Sequence, residues 1–258
     1  MTRSLLVLSG GHAYEREPFA ELLASVGDWD ITHLIHPQAE DAVAGGAARD
    51  ADAVLFYDMG GYTFADNWVT SRPPSAAFRR AIIDRFESGR GAVAMHHALA
   101  GWADWPEWHE MLGGRFLYTP GKVRGEARLD SGYRHDAQYT AQVLADHPVT
   151  AGLPGQFPVC DELYLAEIFE AEVEPLIRSD YAFTRDNFYS AALGISGTLY
   201  SNEGWNHPPA SNLVAWHKRV GNAPLVYLQF GDAPPTYANP HVRQVLANAL
   251  NFIAGEQP

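Results

Sequence analysis

The sequence predicts an α/β fold in which a doubly wound, mostly parallel sheet is flanked by helices and carries antiparallel strands at its edge. Short continuous apolar runs, typical of strands buried on both faces, alternate with stretches of helical spacing in the first hundred residues. Short segments of alternating polarity follow residue 114 and indicate antiparallel strands. We find no internal repeat and no linker, so we expect one domain over residues 1–258.

The N-terminal part of the chain supplies three of the expected parallel strands. Residues 5–8 predict the first strand, and residues 18–25, with a proline in the first turn, predict the helix that follows. Alternating polarity over 29–34 predicts a second strand, and the apolar run 53–57 predicts a third. These elements build the beginning of a β-α-β sheet.

The next helix and strand lead to the edge of the sheet. Apolar residues recur at helical spacing over 74–88, and Gly89 is a suitable stop. Residues 92–95 predict the fourth strand, which runs directly into two histidines. The segments expected to be antiparallel are 115–118, 123–129 and 138–144.

A long irregular loop and a regular ending complete the chain. Residues 180–212 are rich in Tyr, Asn, Gly, Ser and Pro and lack a clear period, which is typical of a functional loop. Strands are expected at 213–217 and 225–230. The amphipathic pattern over 240–254 predicts a closing helix.

Charge and cysteine content limit the partners of the protein. The chain has 18 Lys plus Arg against 31 Asp plus Glu, a net charge of −13, so nucleic acid and anionic membranes are repelled on average. Its single cysteine, Cys160, excludes an intramolecular disulfide and a cysteine-cluster zinc site. The early apolar run 5–8 is too short for a signal peptide or a membrane span, so we expect a cytoplasmic protein.

Polar residues after three predicted strands are the candidates for a site. Ligands of open parallel sheets bind outside the carboxyl ends of the strands, where the loops 10–15, 57–62 and 95–102 would meet. We expect His12 and Asp58 to be catalytic there. The residues expected to contact substrate from the first two loops are Tyr14, Glu15 and Gly60.

The pair His96 and His97 is the most informative feature of these loops. A strand-to-helix turn presents the nucleophile in α/β hydrolases, but this turn has neither Ser nor Cys. Imidazoles act as general acids and bases near neutral pH or bind metals. Adjacent side chains usually point apart, so we expect His97 as the catalytic residue in the cleft. We expect His96 among the residues that bind substrate.

Aromatic residues follow the two histidines. Trp105, Trp108 and His109 share one face of a predicted helix, which either packs in the core or forms a wall on which a sugar stacks. We expect Trp108 in the core. Trp102 and Trp105 are candidates for contact with the substrate.

Two further segments supply candidates. At the expected start of a strand, Glu162 could act as an acid or base and Tyr164 could bind substrate, although a solvated turn is the alternative. Cys160 is expected to be a small buried apolar residue rather than a nucleophile. Within the long loop, His207 could belong to a lid over the site.

Taken together, several motifs resemble the ThuA-like family, named for bacterial trehalose utilisation, over essentially the whole chain. The matching segments are 8–12, 95–98, 108–116, 147–154, 161–164, 214–216 with Gly221, and 237–240. The resemblance implies the fold of class I glutamine amidotransferases. Those enzymes need a cysteine at the turn that here holds His96 and His97, so glutaminase chemistry is not expected.

The resemblance also implies a function in carbohydrate catabolism. It implies an enzyme acting on a sugar or 3-keto-glycoside by histidine-mediated acid/base chemistry, through isomerisation, elimination or hydrolysis. Members usually carry Gly-His-Asp after the last strand, whereas this chain has Gly231 and Asp232 followed by alanine.

Two alternatives stay open at this point. A metal-dependent sugar hydrolase or isomerase would use a divalent ion held by His12, Asp58 and His97. A non-catalytic sugar-binding protein would bind the same class of ligand without turnover. In all three cases the expected partner is a small carbohydrate, and a homo-oligomer is possible.

Overall fold

A ten-stranded mixed sheet with helices on both faces forms the centre of the computed structural model, which describes residues 2–255. The strands are β1 (Arg3–Gly10), β2 (Trp29–Ile35), β3 (Ala53–Asp58), β4 (Tyr62–Ala65), β5 (Trp68–Ser71), β6 (Ala92–Met95), β7 (Gly114–Arg115), β8 (Gly121–Val123), β9 (Glu126–Arg128), β10 (Gly132–Val143), β11 (Gln156–Leu165), β12 (Glu167–Ile168), β13 (Glu174–Ser179), β14 (Tyr189–Ser190), β15 (Leu213–Val220) and β16 (Ala223–Leu228). The α-helices are α1 (Arg16–Ala24), α2 (Gln38–Ala44), α3 (Ala47–Asp50), α4 (Ala76–Glu87), α5 (Pro106–Leu112), α6 (Ala191–Ile195), α7 (Pro234–Tyr237) and α8 (Pro240–Ile253).

One half of the sheet is parallel, as the sequence predicts. The whole sheet has the order β11, β10, β13, β15, β16, β6, β3, β1, β2, with β14 beside β10. Strands β2, β1, β3, β6 and β16 pair in parallel, so their carboxyl ends meet at one edge. This arrangement confirms the predicted fold class.

The other half is antiparallel and larger than an edge. Strands β15, β13, β10 and β11 follow β16 in alternating directions. Of the segments expected to be antiparallel, 138–144 falls in the second half of β10, whereas 123–129 lies in a separate hairpin of β8 and β9. The segment 115–118 contributes only its first residue to β7.

Side chains along β1 point alternately to the two faces of the sheet, and the core has one layer on each face. Leu5 and Val7 pack with α1 and α8 on one face, and Leu6 and Leu8 pack with α2 and α4 on the other. Every residue of β3 is buried, as expected for a central strand covered on both sides. No helix within residues 2–255 is long and apolar enough to cross a membrane.

Helix ends are fixed by local hydrogen bonds. The Ser75 side chain accepts the N–H of Phe78 at the start of α4, and Asn239 caps α8 in the same way. The buried stripe of α8 follows the predicted amphipathic pattern and comprises Val242, Val245, Leu246, Ala249, Leu250 and Ile253.

Three segments differ from the expectation. The motif 161–164 lies in the second half of β11 rather than at a strand start, because the strand begins at Gln156. The loop 180–212 contains β14, α6 and a short 3-10 helix at Arg185–Asn187. The short helices α2 and α3 and the hairpin of β4 and β5 have too few periodic apolar residues to be recognised from the sequence.

The buried His109 makes the fold sensitive to acid. This residue of α5 is 3% exposed, and burial lowers its pKa to about 3, with Arg115 acting in the same direction. Because the pKa is lower in the folded protein than in the unfolded chain, the unfolded state binds a proton first as the pH falls below about 6.5. The stability that the neutral His109 contributes is therefore lost from pH 6.5 toward pH 3.

We expect His109→Leu to flatten this decline. The free energy of unfolding of the unchanged protein should fall, relative to the variant, by up to about 1.4 kcal/mol per pH unit below about 6.5. Urea unfolding at pH 7, 6, 5 and 4.5 measures both curves. Some acid sensitivity remains in the variant, because burial also lowers the pKa of His97. Parallel curves would contradict the assignment.

Candidate active site

A cavity of about 300 Å³ lies at the carboxyl end of the parallel strand β1, where His12 lines it. Its other walls come from the antiparallel half of the sheet, the segment 116–118 and the segment 191–200. The lining side chains are mainly aromatic, with two histidines and one carboxylate among them: His12, Phe116, Tyr118, Tyr133, His135, Glu162, Tyr164, Ala191, Gly194, Ile195, Leu199 and Tyr200.

The turn after β6 directs two imidazoles into the protein. A 3-10 helix, His96–Leu99, follows the strand directly, and His96 adopts a positive φ of 44°. A non-glycine residue in this region stores backbone strain, which is frequent at functional sites. Both rings are buried: His96 is 0% and His97 1% exposed.

His96 is doubly protonated in this arrangement. Its Nδ1 donates to the carbonyl of Gln229, and its Nε2 donates to Oε2 of Glu162 at 3.1 Å. Both partners accept only, so both nitrogens carry protons. Burial opposes the charge, but the bond to Glu162 and the nearby charges of Asp161 and Asp232 raise the pKa of His96 to about 9. The centre of the site is thus a buried imidazolium.

Asp161 and Glu162, two carboxylates near His96, make different contacts. Asp161 accepts the N–H groups of Gly231 at 2.7 Å and Asp232 at 3.0 Å, so it fixes the loop after β16. Burial raises the pKa of Asp161 to about 6. Glu162 faces the cavity, with Oε1 lying 3.3 Å from Nε2 of His135. Burial opposes its ionisation, but His96 outweighs this and lowers the pKa of Glu162.

His12, and not His97, is the histidine of this pair that faces the cavity. The two rings stack with centroids 3.8 Å apart, and His97 lies beneath, hydrogen-bonded through Nδ1 to the Tyr164 hydroxyl at 3.2 Å. The expectation that His97 occupies the cleft is therefore wrong, because the turn carries both histidines inward. Burial and the neighbouring His96 and His12 lower the pKa of His97 well below its usual value.

The tautomer of neutral His12 follows from its backbone contact. Nδ1 lies 2.7 Å from the carbonyl oxygen of Ala13, which can only accept, so Nδ1 carries the proton. Nε2 is then the proton acceptor of a residue that lines the cavity. His12 is thus oriented to receive a proton from a bound molecule.

The expected set of His12, Asp58 and His97 does not form a metal site. Side chains alternate along β3, so Tyr57 approaches the ring of His97 and Asp58 points away, to Nε2 of His36 at 2.9 Å. Within residues 2–255, the set of possible ligands at this site is instead His96, His97 and Asp232, whose ligand atoms lie within 4.8 Å of one another.

The tryptophans expected to bind substrate lie in the core. Trp102 is 0% and Trp105 1% exposed, and Trp102 packs against the rings of His36 and Phe78. A Cβ on Gly60 would lie 2.2 Å from Cζ2 of Trp102. Gly60 therefore allows the close approach of the Trp102 ring, and neither tryptophan forms a sugar-stacking wall.

Three other candidate residues, Tyr14, Glu15 and His207, lie outside the main cavity. Tyr14 and Glu15 line a second cavity of about 300 Å³ together with Ala13, Asp232 and Ala233. His207 is buried against Trp205 and donates through Nδ1 to the carbonyl of Pro208, and it lines neither cavity. Of the predicted site residues, His12, Glu162 and Tyr164 line the main cavity, whereas His96, expected to bind substrate, is fully buried and does not.

Several lining residues were not expected from the sequence. Tyr133 and His135 lie on β10 of the antiparallel half, Tyr200 lies in the long loop, and Tyr118 lies between β7 and β8. The spacing of Tyr133 and His135 places both on one face of a strand, and their rings lie 5.2 Å apart. The two-residue spacing of Tyr133 and His135 could have been read from the sequence as one face of a strand. Only the tertiary structure shows that this face of β10 lines the cavity.

The fold is that of class I glutamine amidotransferase-like proteins, and two histidines occupy the turn after β6. Cys160 lies on β11 and is half-buried, so the turn after β6 holds no cysteine. The chain belongs to the ThuA family: the family model described as trehalose utilisation matches residues 5–253. No curated protein matches the sequence.

Solved structures support the same fold. A ThuA-like protein from Parabacteroides merdae is 16% identical, with a TM-score of 0.68, and the match covers 99% of this chain and 91% of that one. A ThuA-like protein from Bacteroides uniformis is 18% identical, with a TM-score of 0.59 and coverage of 97% and 91%. A protein from Thermoplasma acidophilum, described as part of a GMP synthase, is 8% identical, with a TM-score of 0.52 and coverage of 98% and 95%.

Proposed function

We propose that this protein is an enzyme of carbohydrate catabolism that acts on a sugar or 3-keto-glycoside by acid/base chemistry. Its family is described as serving trehalose utilisation, which suggests a role in sugar metabolism. The observation that supports a reaction is the buried histidine–carboxylate cluster, which opens through His12 and Glu162 onto an aromatic cavity. Perturbed titratable groups at a cavity are typical of active sites.

The lining of the cavity suits a carbohydrate. Tyrosine rings offer flat apolar surface for the C–H faces of a sugar and hydroxyl groups for its edges. The Tyr133 hydroxyl accepts the N–H of Tyr200 at 3.0 Å and keeps its own proton for donation. The exposed Leu199 and Tyr200 stand at the rim, where they would contact the substituent of a glycoside.

The reaction would begin at His12. A 3-keto group acidifies the neighbouring C2–H bond, and Nε2 of His12 would remove that proton while the electron pair moves to the carbonyl oxygen. A tyrosine hydroxyl of the cavity lining would stabilise the resulting enolate. Collapse of the enolate expels the aglycone from C1, and protonated His12 returns its proton to the leaving oxygen. Return of the proton to carbon instead would give isomerisation.

A metal-dependent reaction on the same substrates is a second candidate, because His96, His97 and Asp232 converge beside the cavity. We further propose a cytoplasmic location, which agrees with the single free Cys160.

The acidic net charge of −13 favours a small carbohydrate over nucleic acid or an anionic membrane as partner.

A proton NMR time course tests the proposed function. The protein is incubated with glycosides, trehalose among them, and with their 3-keto derivatives, with and without chelator. We expect new sugar resonances with keto-sugars and none with the parent glycosides. Line broadening of a ligand without turnover would instead identify a sugar-binding protein, and activity confined to unoxidised glycosides would contradict the keto-sugar proposal.

A further inference from the structure

We propose that His96, His97 and Asp232 bind a divalent transition-metal ion, with Zn²⁺ the first candidate. One ring nitrogen of each histidine and one carboxylate oxygen lie within 4.8 Å of one another, close enough for small side-chain movements to bring all three to a single ion. Two imidazoles and one carboxylate form a ligand set used by catalytic zinc sites, which keep further positions open for water or substrate.

His97 supplies the observation that points most directly to a ligand. Its Nε2 is buried and has no hydrogen-bond partner among residues 2–255, although the side chain is only 1% exposed. A buried imidazole nitrogen without a partner loses free energy relative to water, and this one lies in a group of possible metal ligands. A bound cation would satisfy this nitrogen.

His96 is oriented as metal-binding histidines are. Its Nδ1 donates to the backbone carbonyl of Gln229, and this outer contact fixes the ring so that Nε2 points to the cluster. Nε2 lies 3.8 Å from Oδ1 of Asp232 and 3.1 Å from Oε2 of Glu162. An ion at this place would replace the proton between His96 and Glu162, and Glu162 would remain beside the open positions.

Asp232 also provides a route for the ion. Its side chain is 17% exposed and borders the second cavity, which Glu15 lines as well. The loop that carries it is held by the two hydrogen bonds from its N–H groups to Asp161. An ion entering from the second cavity would therefore meet a fixed carboxylate before it reaches the buried imidazoles.

The binding proposal is independent of the substrate, and its test does not use activity. The full-length protein is stripped with chelator and titrated calorimetrically with Zn²⁺ and, separately, with Mn²⁺. We expect one ion per chain, and Asp232→Asn, which keeps the shape of the side chain, should weaken binding by at least about tenfold. Cobalt(II) should give visible absorption bands that His97→Gln abolishes.

A second group of possible ligands supplies the matched control. His147, Glu174 and His217 also lie within ligand distance of one another, with Glu174 exposed and both histidines half-buried. His217→Gln should leave the measured affinity unchanged. The proposal is overturned if neither ion binds, or if binding persists in Asp232→Asn and His97→Gln and is lost in His217→Gln. A protein that binds the ion but turns over no sugar would contradict the proposed function and not the metal site.

Discussion

Replacing His12 by alanine should lower turnover of a 3-keto-glycoside by about 10²- to 10⁴-fold, the usual contribution of a general base. The expectation depends on two contacts. The carbonyl of Ala13 holds the proton on Nδ1 and leaves Nε2 as acceptor, and the ring stacks on the buried His97, which fixes its plane beside the cavity. Because His12 is only half-buried, its removal should leave the fold intact.

The kinetic pattern separates this role from substrate binding. We expect kcat to fall with little change in KM, since a base acts in the transition state. His12→Gln should be as inactive as His12→Ala, because an amide cannot take up the proton. His241→Ala, on α8 and outside both cavities, is the matched control. Full turnover by both His12 variants would show that another group removes the proton.

Replacing Glu162 by glutamine should destabilise the protein by about 3 kcal/mol, the lower end of the cost of breaking a buried ion pair. Glu162 is 5% exposed and is the closest carboxylate to the imidazolium of His96. The lower end applies because Asp161 and Asp232 still compensate part of that charge. In a chain of this size the loss corresponds to a fall in Tm of about 6–12 °C.

Thermal unfolding at pH 7 with chelator present measures this effect, since a bound ion would otherwise contribute. Glu167→Gln is the control: this neighbour pairs with the partly exposed Arg128, and such pairs contribute about 0–1 kcal/mol. Equal Tm values for the two variants would mean that the ion pair of His96 and Glu162 does not contribute the expected free energy to folding. Turnover should also fall in Glu162→Gln, because the carboxylate faces the cavity.

Much of the fold can be predicted from the sequence, because the hydropathy pattern of a segment matches the burial of that segment in the structure. Central strands such as β3 are buried on both faces, so they are continuous apolar runs, and α8 shows its single buried stripe as a 3.6-residue period. The antiparallel half is harder to predict, since its strands are short or irregular. Strand β10, for example, has a register shift between Arg134 and Ala137.

By itself, the sequence determined the parallel half of the sheet, the two histidines after β6 and the family to which the chain belongs. Only the tertiary structure decided which histidine faces the cavity, that Trp102 is core, and that Glu162 meets His96. The physical reason is that hydropathy reports burial along one segment. The direction of a side chain at a strand end depends on backbone angles such as the positive φ of His96, and its partners come from strands distant in sequence.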